Sequence, residues 1–318
     1  MKILAFSDIH NNLDCLQKLI EQTINDSFDL IIIAGDIGDE KAEEFFNALQ
    51  GFSCPIFYVY GNWDNTLNYE QKFLHNAVHI HQNIQHLNGY HFTGYSGCPA
   101  NWGKNPNYIE LNNLLIKKYK TLLLNQEELN TNLKFKLDSL HSKYEGVIDY
   151  TFDGIKRTAK EIKLLKARSN EYRTKRTELL EIHRTPIFEL EKTTEYKAYL
   201  VDKKLMYDKI LHNNKQNLVD EITKADVDIQ KTIIITHDRF TYLNNYFSSS
   251  PLLHLFGHRH QFNHTHNQGT HFVNVAHLDN EQSLFSLAMN KPQEDIIGNY
   301  CILTLSDRCV DSLKVNLK

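Results

Sequence analysis

Carboxylate, imidazole and amide side chains occur in five short motifs along the chain. The motifs are DIH at 8–10, GD at 35–36, GNWD at 61–64, a single His at 237 and GHRH at 257–260. They offer seven oxygen and nitrogen donors, which are Asp8, His10, Asp36, Asn62, His237, His258 and His260. Donors of this kind, with no thiolate among them, suit Mn²⁺, Fe, Zn²⁺ or Ni²⁺. Seven ligands exceed the need of one transition metal, so the motifs predict two divalent ions that share a bridging carboxylate.

Each motif directly follows an apolar run that is typical of a buried strand. The five runs are KILAFS, FDLIIIA, PIFYVY, TIIIT and LLHLF. The carboxyl ends of strands gather at one edge of an open α/β sheet, where ligands bind. The two-residue spacing of Asp8 and His10, and likewise of His258 and His260, points both side chains the same way if the backbone stays extended. We therefore expect the five motifs to converge on one site.

Strand and helix patterns alternate through the first hundred residues. Apolar residues recur at helical spacing from Leu13 to Ile24, and the helical pattern EKAEEFFNAL follows the second strand run. Such alternation implies a buried sheet with parallel strands and with helices packed against it. Further strand-like runs occur at 90–95, 271–275 and 300–305.

The residue pattern changes between about 108 and 226, where Lys and Glu dominate and glycine is almost absent. Apolar residues from Leu115 to Val147 follow a seam close to a heptad, with Gln126 as its polar break. A turn is predicted at 150–154, then a second helix to about 184, where Pro186 should end or kink it, and a third over 187–224. We expect one domain formed by 1–107 and 227–318, interrupted by a coiled-coil-like helical insertion at 108–226.

The ordered motifs resemble the calcineurin-like metallophosphoesterase superfamily, whose pattern is DxH, GD, GNxD or GNHD, a lone His and GHxH. The resemblance covers about 1–100 and 232–318. It implies an α/β fold, a four-layer αββα sandwich of two sheets with helices outside. It also implies that Asp8, His10 and His260 hold one metal, that Asn62, His237 and His258 hold the other, and that Asp36 bridges them.

The predicted activity is that of a metal-dependent phosphoric ester hydrolase, a phosphodiesterase or phosphatase in which Mn²⁺ is the favoured ion. A water bridging the two metals, with its pKa lowered toward about 7, would attack phosphorus in line as hydroxide. The predicted substrate is a nucleotide, a nucleic acid or another phosphoester. Asp36, Asn62 and His237 are the predicted catalytic residues. Arg239 and Arg259 flank ligands and could bind phosphate through a guanidinium fork, with solvated surface charge as the equal alternative.

Trp63 departs from the family pattern. Many members have a His at this place, which can protonate the leaving oxygen or hold the phosphate. An alkoxide that leaves without a positioned acid loses about 10²–10⁴-fold of rate. The competing hypothesis is therefore a weakly active or inactive phosphoesterase fold that serves as a protein-interaction module through its helical insertion.

Several polar residues near the motifs are candidates for supporting roles. Asn12, Asp39 and Asp64 could orient ligands from outside the coordination shell, and Asn12 is also a good helix N-cap. The remaining histidines are predicted to lie at the surface or at the rim of the site. They are His79, His81, His86, His264, His266 and His277.

The net charge of −4 conceals an uneven distribution. Between 157 and 176 there are eight basic residues and two glutamates, with Lys156, Lys160 and Lys163 on one helical face. A basic helix could guide nucleic acid to the site, although a solvated coiled-coil face is the favoured interpretation. The heptad-like seam could instead mediate homodimerisation or docking of a protein partner.

Composition points to the cytoplasm. No apolar run approaches the roughly 20 residues needed to span a bilayer, so no membrane association is expected. The five cysteines show neither CxxC spacing nor a dense framework, which favours a reducing compartment. The strand pattern begins at the first residues, which leaves no room for a signal peptide.

Overall fold

The computed structural model describes residues 1–147, 157–275, 277–280, 298–307 and 309–318. The turn predicted at 150–154 and Lys156 lie outside these residues. Two compact units are present, one made of Met1–Glu110 and Tyr207–Lys318 and the other of Leu111–Met206.

Twelve described strands form two six-stranded mixed sheets in the first unit. The first sheet has the order β12-β11-β1-β2-β3-β4 and contains β1 (Lys2–Phe6), β2 (Leu30–Ala34), β3 (Ile56–Val59), β4 (Ala77–His79), β11 (Asn299–Ser306) and β12 (Cys309–Asn316). The second has the order β5-β6-β7-β8-β10-β9 and contains β5 (Gln85–Leu87), β6 (Tyr90–Tyr95), β7 (Thr232–Thr236), β8 (Leu253–Phe256), β9 (Asn263–Asn267) and β10 (Thr270–Asn274). Strands β1 to β4 are parallel, as are β6, β7, β8 and β10.

All eight predicted strand runs form strands, but β4, β5, β9 and β12 were not predicted. All four of these lie at the edges of the sheets. An edge strand is stabilised by its neighbour and needs no continuous apolar run, so a sequence such as NHTHN in β9 carries no strand signal.

Alternate residues of the central strands pack into different cores, which defines the layers. Ile32 of β2 lies in the core between the two sheets, whereas Ile31 and Ile33 lie in the core that also contains residues of helices α1 (Leu13–Thr23) and α2 (Ala42–Ala48). On the second sheet, Ile234 packs with Leu218, near the end of helix α6 (Thr194–Lys224). The order helix, sheet, sheet, helix confirms the predicted αββα sandwich.

Three further helices are α3 (Pro106–Lys118), α4 (Lys120–Lys143) and α5 (Ala159–Lys192). The first predicted helical segment is divided at Tyr119, whose φ of −111° interrupts the helix. The prediction that the second helix stops near Pro186 is wrong, because α5 continues to Lys192. Pro186 is exposed, so water can bind the carbonyl that the missing amide leaves free.

The second unit contains the pair α4 and α5, which pack against each other. Leu129, Leu133 and Leu137 of the predicted seam are half-buried between exposed neighbours. At the start of α5, Thr158 and Glu161 form a capping box, in which each side chain binds the backbone amide of the other. None of the described helices combines the length and the apolar character that a membrane span requires.

His81 helps to fix the loop after β3, which carries a predicted ligand. Its Nδ1 accepts a hydrogen bond from the Ser96 amide at 2.9 Å, and the Ser96 hydroxyl accepts one from the Tyr60 amide, also at 2.9 Å. His79 Nε2 lies 2.7 Å from the same hydroxyl. The prediction that these two histidines lie at the surface or rim is wrong, since both are half-buried within this network. Burial lowers the pKa of His81 to about 3 and that of His79 to about 4.

We predict that His81→Asn makes stability less sensitive to acid. In the unfolded chain His81 gains a proton below about pH 6.5, but in the folded chain only near pH 3, so stability is lost as pH falls through this window. The asparagine side chain would still accept the Ser96 amide but could not be protonated. Urea unfolding between pH 4 and pH 7 should show a shallower slope of unfolding free energy against pH. His75→Asn, at an exposed position, is the control, and an unchanged slope for His81→Asn would contradict the prediction.

Candidate metal centre

The loops that follow five parallel strands meet at one edge of the sandwich. Asp8 follows β1, and its amide donates to the carbonyl of Gly35 after β2 at 3.0 Å. The amides of Ile9 and His10 both donate to the Asp36 carbonyl, at 2.7 and 3.1 Å. In the second sheet, the Gly257 amide donates to the His237 carbonyl at 2.9 Å. Neighbouring ligand loops are therefore fastened to each other through their backbones.

The expectation of an extended backbone through the paired ligands is wrong. Five of the seven predicted ligands have left-handed φ angles, between 48° and 68°: Asp8, His10, Asp36, His258 and His260. The left-handed backbone conformation costs free energy for residues other than glycine, and residues that adopt it are concentrated at functional sites. The chain turns sharply as soon as each strand ends, and this turn aims the side chains at one point.

Two glycines let the loops approach closely. A Cβ added at Gly61 would meet Asp36 Oδ1 and would lie 2.7 Å from His237 Cδ2. A Cβ at Gly257 would lie 2.6 Å from Asp8 Oδ2. The glycines of GNWD and GHRH are therefore required by the space that the predicted ligands occupy.

The carboxylates of the first sheet face histidines of the second. His260 Nε2 lies 3.1 Å from Asp8 Oδ1, and His237 Nε2 lies 3.2 Å from Asp36 Oδ2. His10 Nε2 lies 3.4 Å from Asp36 Oδ2. Among the residues that the structure describes, three groups of side chains have ligand atoms within 4.8 Å of one another: Asp8 with His10 and His260, Asp8 with Asp36 and His237, and Cys98 with His237 and His258. Because they share Asp8 and His237, they form one continuous set of donors.

Buried charge makes this cluster a site for cations. Burial opposes ionisation of the two carboxyls, but nearby histidines, His237 first, lower the pKa of both Asp8 and Asp36. Burial likewise opposes the charge of His237, but Asp36 and Asp8 raise its pKa well above the ordinary value. Two ionised carboxylates in a buried place need positive charge beside them. Divalent ions would supply it and leave the histidines neutral, as ligands must be.

His237 is held in the orientation that a metal ligand needs. Its Nδ1 donates to the Ala34 carbonyl at 2.8 Å, which leaves the lone pair on Nε2. Nε2 is buried and, although close to Asp36, has no partner in hydrogen-bonding geometry among the described residues. A carbonyl that fixes the tautomer in this way is the usual outer partner of a metal-bound imidazole. The donor set therefore fits the predicted ions.

Three residues of the site were missed by the sequence predictions. Cys98 Sγ lies 3.1 Å from Asn62 Oδ1 and 3.9 Å from His258 Nδ1. The sequence signal for Cys98 is its position just after the strand run 90–95, which matches the position of the other predicted ligands. Asp279 Oδ2 lies 3.4 Å from His10 Nδ1, and no pattern marks this carboxylate.

The third missed residue is His277, which was predicted to lie at the surface or rim. It is 1% exposed, and its ring stacks on His260 with centroids 5.3 Å apart. Among the other histidines in that prediction, His86 and His266 are exposed and His264 is half-buried. His277 is therefore buried against a predicted ligand and does not lie at the surface.

The three residues predicted to orient ligands have different roles. Asn12 caps α1 through the Cys15 amide, which confirms its predicted role as an N-cap, and it donates to Asp279 Oδ1. Asp64 accepts from the amides of Gly38 and Gly61, each at 2.7 Å, and fixes the ligand loops by their backbones. Burial, and then the charge of Asp36, raises its pKa to about 7. Asp39 accepts from the Thr66 hydroxyl and contacts no ligand side chain through a described hydrogen bond.

Trp63 lies at the open side of the cluster. Its amide donates to Asp36 Oδ1 at 2.8 Å, and its ring packs on His10 with centroids 4.6 Å apart. The indole is nevertheless 47% exposed. The backbone of this residue thus supports Asp36, while its side chain offers an aromatic surface.

Arg239 and Arg259 line one small pocket of about 140 Å³, together with Phe272 and Asn274. The guanidinium carbon of Arg239 lies 4.0 Å from the centroid of the Phe272 ring. Burial, and then the charge of Arg259, lowers the pKa of Arg239. Arg259 of the GHRH motif and Arg239 therefore place two cationic side chains at the same pocket.

Comparison with known proteins gives one family. The sequence model of calcineurin-like phosphoesterases matches residues 1–147. No curated protein sequence matches the chain.

The solved structures that match this chain share little sequence with it, and their TM-scores lie below 0.5. A protein from Thermus thermophilus has 14% identity and a TM-score of 0.43, with 100% of this chain and 99% of that chain covered. The phosphopantetheinyl hydrolase of Mycobacterium tuberculosis has 13% identity and a TM-score of 0.36, with 92% and 93% covered. Vps29 of Entamoeba histolytica, complexed with Zn²⁺, has 9% identity and a TM-score of 0.33, with 100% of both chains covered.

We predict that Asp279→Asn weakens metal binding without changing the fold. The variant loses the negative charge that faces His10 Nδ1, so the imidazole becomes a poorer and less well oriented donor. Affinity for Zn²⁺ or Mn²⁺ should fall by about 10–100-fold, as measured by competition with a chromogenic chelator. The control is Asp226→Asn at an exposed position, and wild-type affinity in Asp279→Asn would refute the role.

Proposed function

We propose that this chain, whose residues 1–147 belong to the calcineurin-like phosphoesterase family, is a dinuclear metal-dependent phosphodiesterase. The observation that supports it best is the continuous set of buried donors around Asp8, Asp36 and His237. A single ion could not use all of these groups. Two ions could, with Asp36 between them.

The residues would divide between the ions as the family pattern implies. One ion would be held by Asp8, His10 and His260. The other would be held by Asn62, His237 and His258, and Asp36 would bind both. The two ions, when bound, would act as Lewis acids and supply an activated water for in-line attack on phosphorus. The protein's part is to hold these donors rigidly, through the Ala34 carbonyl on His237 and through Asp279 on His10. No covalent link between enzyme and substrate is needed.

The substrate would approach from the side of Trp63. His10 and His260 keep 12% and 23% of their side chains exposed, whereas Asp8 and His237 have none. The Trp63 ring stands beside this opening and could stack on a flat substrate group such as a nucleobase. We infer that Arg239 and Arg259 bind an anionic part of the substrate, since a guanidinium fork matches phosphate geometry. A nucleotide, nucleic acid or similar phosphoester would use both features.

The helical unit supports a second candidate function, that of an interaction module. Phe135, Leu164 and Ile182 are 74%, 62% and 65% exposed. We infer that a protein partner or a second copy of the chain would cover these side chains. This function would not require an active metal centre.

We expect Asp36→Ala to abolish metal-dependent hydrolysis of bis(p-nitrophenyl) phosphate. The substitution removes the proposed bridging ligand and leaves His237 without its nearest carboxylate. Release of p-nitrophenol should be followed with added Mn²⁺, Zn²⁺ or Co²⁺, together with the metal content of the purified protein. The control is Asp39→Ala, because Asp39 contacts Thr66 instead of a ligand.

Full activity in Asp36→Ala would refute the proposed function. If the wild-type chain carries less than one metal ion and stays inactive with every added ion, the interaction module becomes the better explanation.

We further expect Trp63→His to accelerate hydrolysis of diesters with poor leaving groups. A histidine here could donate a proton to the leaving oxygen, a contribution on the order of 10²-fold or more when fully realised. The gain should be large for diesters of alcohols such as dinucleotides, and small for bis(p-nitrophenyl) phosphate, whose leaving group needs no acid. Trp63→Phe is the control. Equal gains on both substrate types would show that Trp63 acts only by obstructing the site.

A further inference from the structure

Cys98 occupies a position that the strand topology makes equivalent to the other ligand positions. It follows β6, which is parallel to β7, and Tyr95 pairs with Thr236 at the ends of these strands. His237 directly follows β7, so both loops emerge side by side at the carboxyl edge of the second sheet. A side chain just after β6 is therefore directed to the same point as His237.

The loop that carries Cys98 is rigid. The Gly97 amide donates to the Tyr60 carbonyl at 2.9 Å, which ties this loop to the one that carries Asn62. Gly97 has a φ of +93°, and a Cβ there would lie 2.9 Å from the ring of Trp102, which is fully buried. The Asn101 amide donates to the Cys98 carbonyl at 3.1 Å. The sulfur is thus held by backbone contacts and by close packing.

Sulfur and nitrogen donors converge on one small volume. Cys98 is 0% exposed, and its Sγ lies with ligand nitrogens of His237 and His258 within 4.8 Å of one another. Asn62 Oδ1 is 3.1 Å from the sulfur. The buried Nε2 of His237, which lacks a hydrogen-bond partner among the described residues, belongs to the same group. One thiol, two imidazoles and one amide oxygen therefore lie together beside the proposed bridging Asp36, and sulfur and imidazole nitrogen are the donors that Zn²⁺ prefers.

We propose that Cys98 is a metal ligand in the half of the centre formed by Asn62, His237 and His258, and that it makes this half select Zn²⁺ or Co²⁺ over Mn²⁺. Thiolate ligands favour Zn²⁺-like ions, whereas oxygen donors suit Mn²⁺. On binding, the metal–sulfur bond forms, the S–H bond breaks and its proton leaves to solvent. The inference rests on the proposed dinuclear centre. It replaces the expectation that no thiolate takes part and that Mn²⁺ is favoured throughout.

The test is Co²⁺ loading of the full chain, followed by absorption spectroscopy. Wild-type protein should show a near-ultraviolet sulfur-to-cobalt charge-transfer band, which Cys98→Ser should lose while it keeps the visible bands of bound Co²⁺. Affinity for Zn²⁺ should fall at least about tenfold in Cys98→Ser, while affinity for Mn²⁺ changes less than about threefold. The matched control is Cys301→Ala, a buried cysteine of β11 in the core between the sheets, which should retain the band.

The outcomes separate the two proposals. Visible bands without the charge-transfer band in the wild-type protein would overturn the role of Cys98 and leave the dinuclear centre intact. Failure of the wild-type protein to bind Co²⁺ would overturn both. If Cys98→Ser does not fold, X-ray absorption of the Zn²⁺-loaded wild-type protein decides: a sulfur neighbour supports the assignment, and a shell of nitrogen and oxygen alone refutes it.

Discussion

Two buried carboxylates, Asp8 and Asp36, face His237 across the gap between the two sheets, and the structure of this edge depends on them. Each carboxylate belongs to the first sheet and the histidine belongs to the second. Like charges in a buried place repel each other and lose their hydration, which costs several kcal/mol per ion unless positive charge compensates. The surrounding histidines provide part of that charge. The neighbouring carboxylates raise the pKa of His10 to about 9 and that of His237 well above its ordinary value, so both imidazoles favour a positive charge here.

The backbone around these groups is adapted to hold them close. Two backbone features of the site lower the free energy of unfolding. The left-handed conformations at the ligands cost strain, and Gly61 and Gly257 cost conformational entropy when the chain folds. The same features appear where ligand loops must turn within one residue of a strand end. Backbone hydrogen bonds between neighbouring loops, and the buried carboxylate of Asp64, stabilise these turns. Rigidity at the site is thus supplied by the loops and their connections to the strands.

The ligand motifs do not specify which metal binds or which group protonates the leaving oxygen, and we infer that residues between the motifs decide both. Cys98 lies beside Asn62, Asp279 faces His10, and the Trp63 ring packs on His10 at the place where the GNHD form of the family pattern has an imidazole. In the proposed function, these three loop residues would affect metal preference, ligand basicity and protonation of the leaving group, respectively. No periodic pattern in the sequence reveals them.

The residue patterns by themselves predicted parallel strands with helices packed against them and the convergence of the ligand motifs, and the resemblance carried by those motifs implied the αββα fold. Apolar runs ended by DIH, GD and GHRH are local signals, and the carboxyl ends of parallel strands must meet, so convergence follows from order alone. The tertiary structure decided what depends on distant contacts. The edge strands β4, β5, β9 and β12 are stabilised by their neighbours, and α5 passes Pro186 because that residue faces water. The burial of His277, the hydrogen bond between His81 and the Ser96 amide, the left-handed turn at Asp8, and the approach of Cys98 to Asn62 arise from packing between different segments, which local residue patterns do not encode.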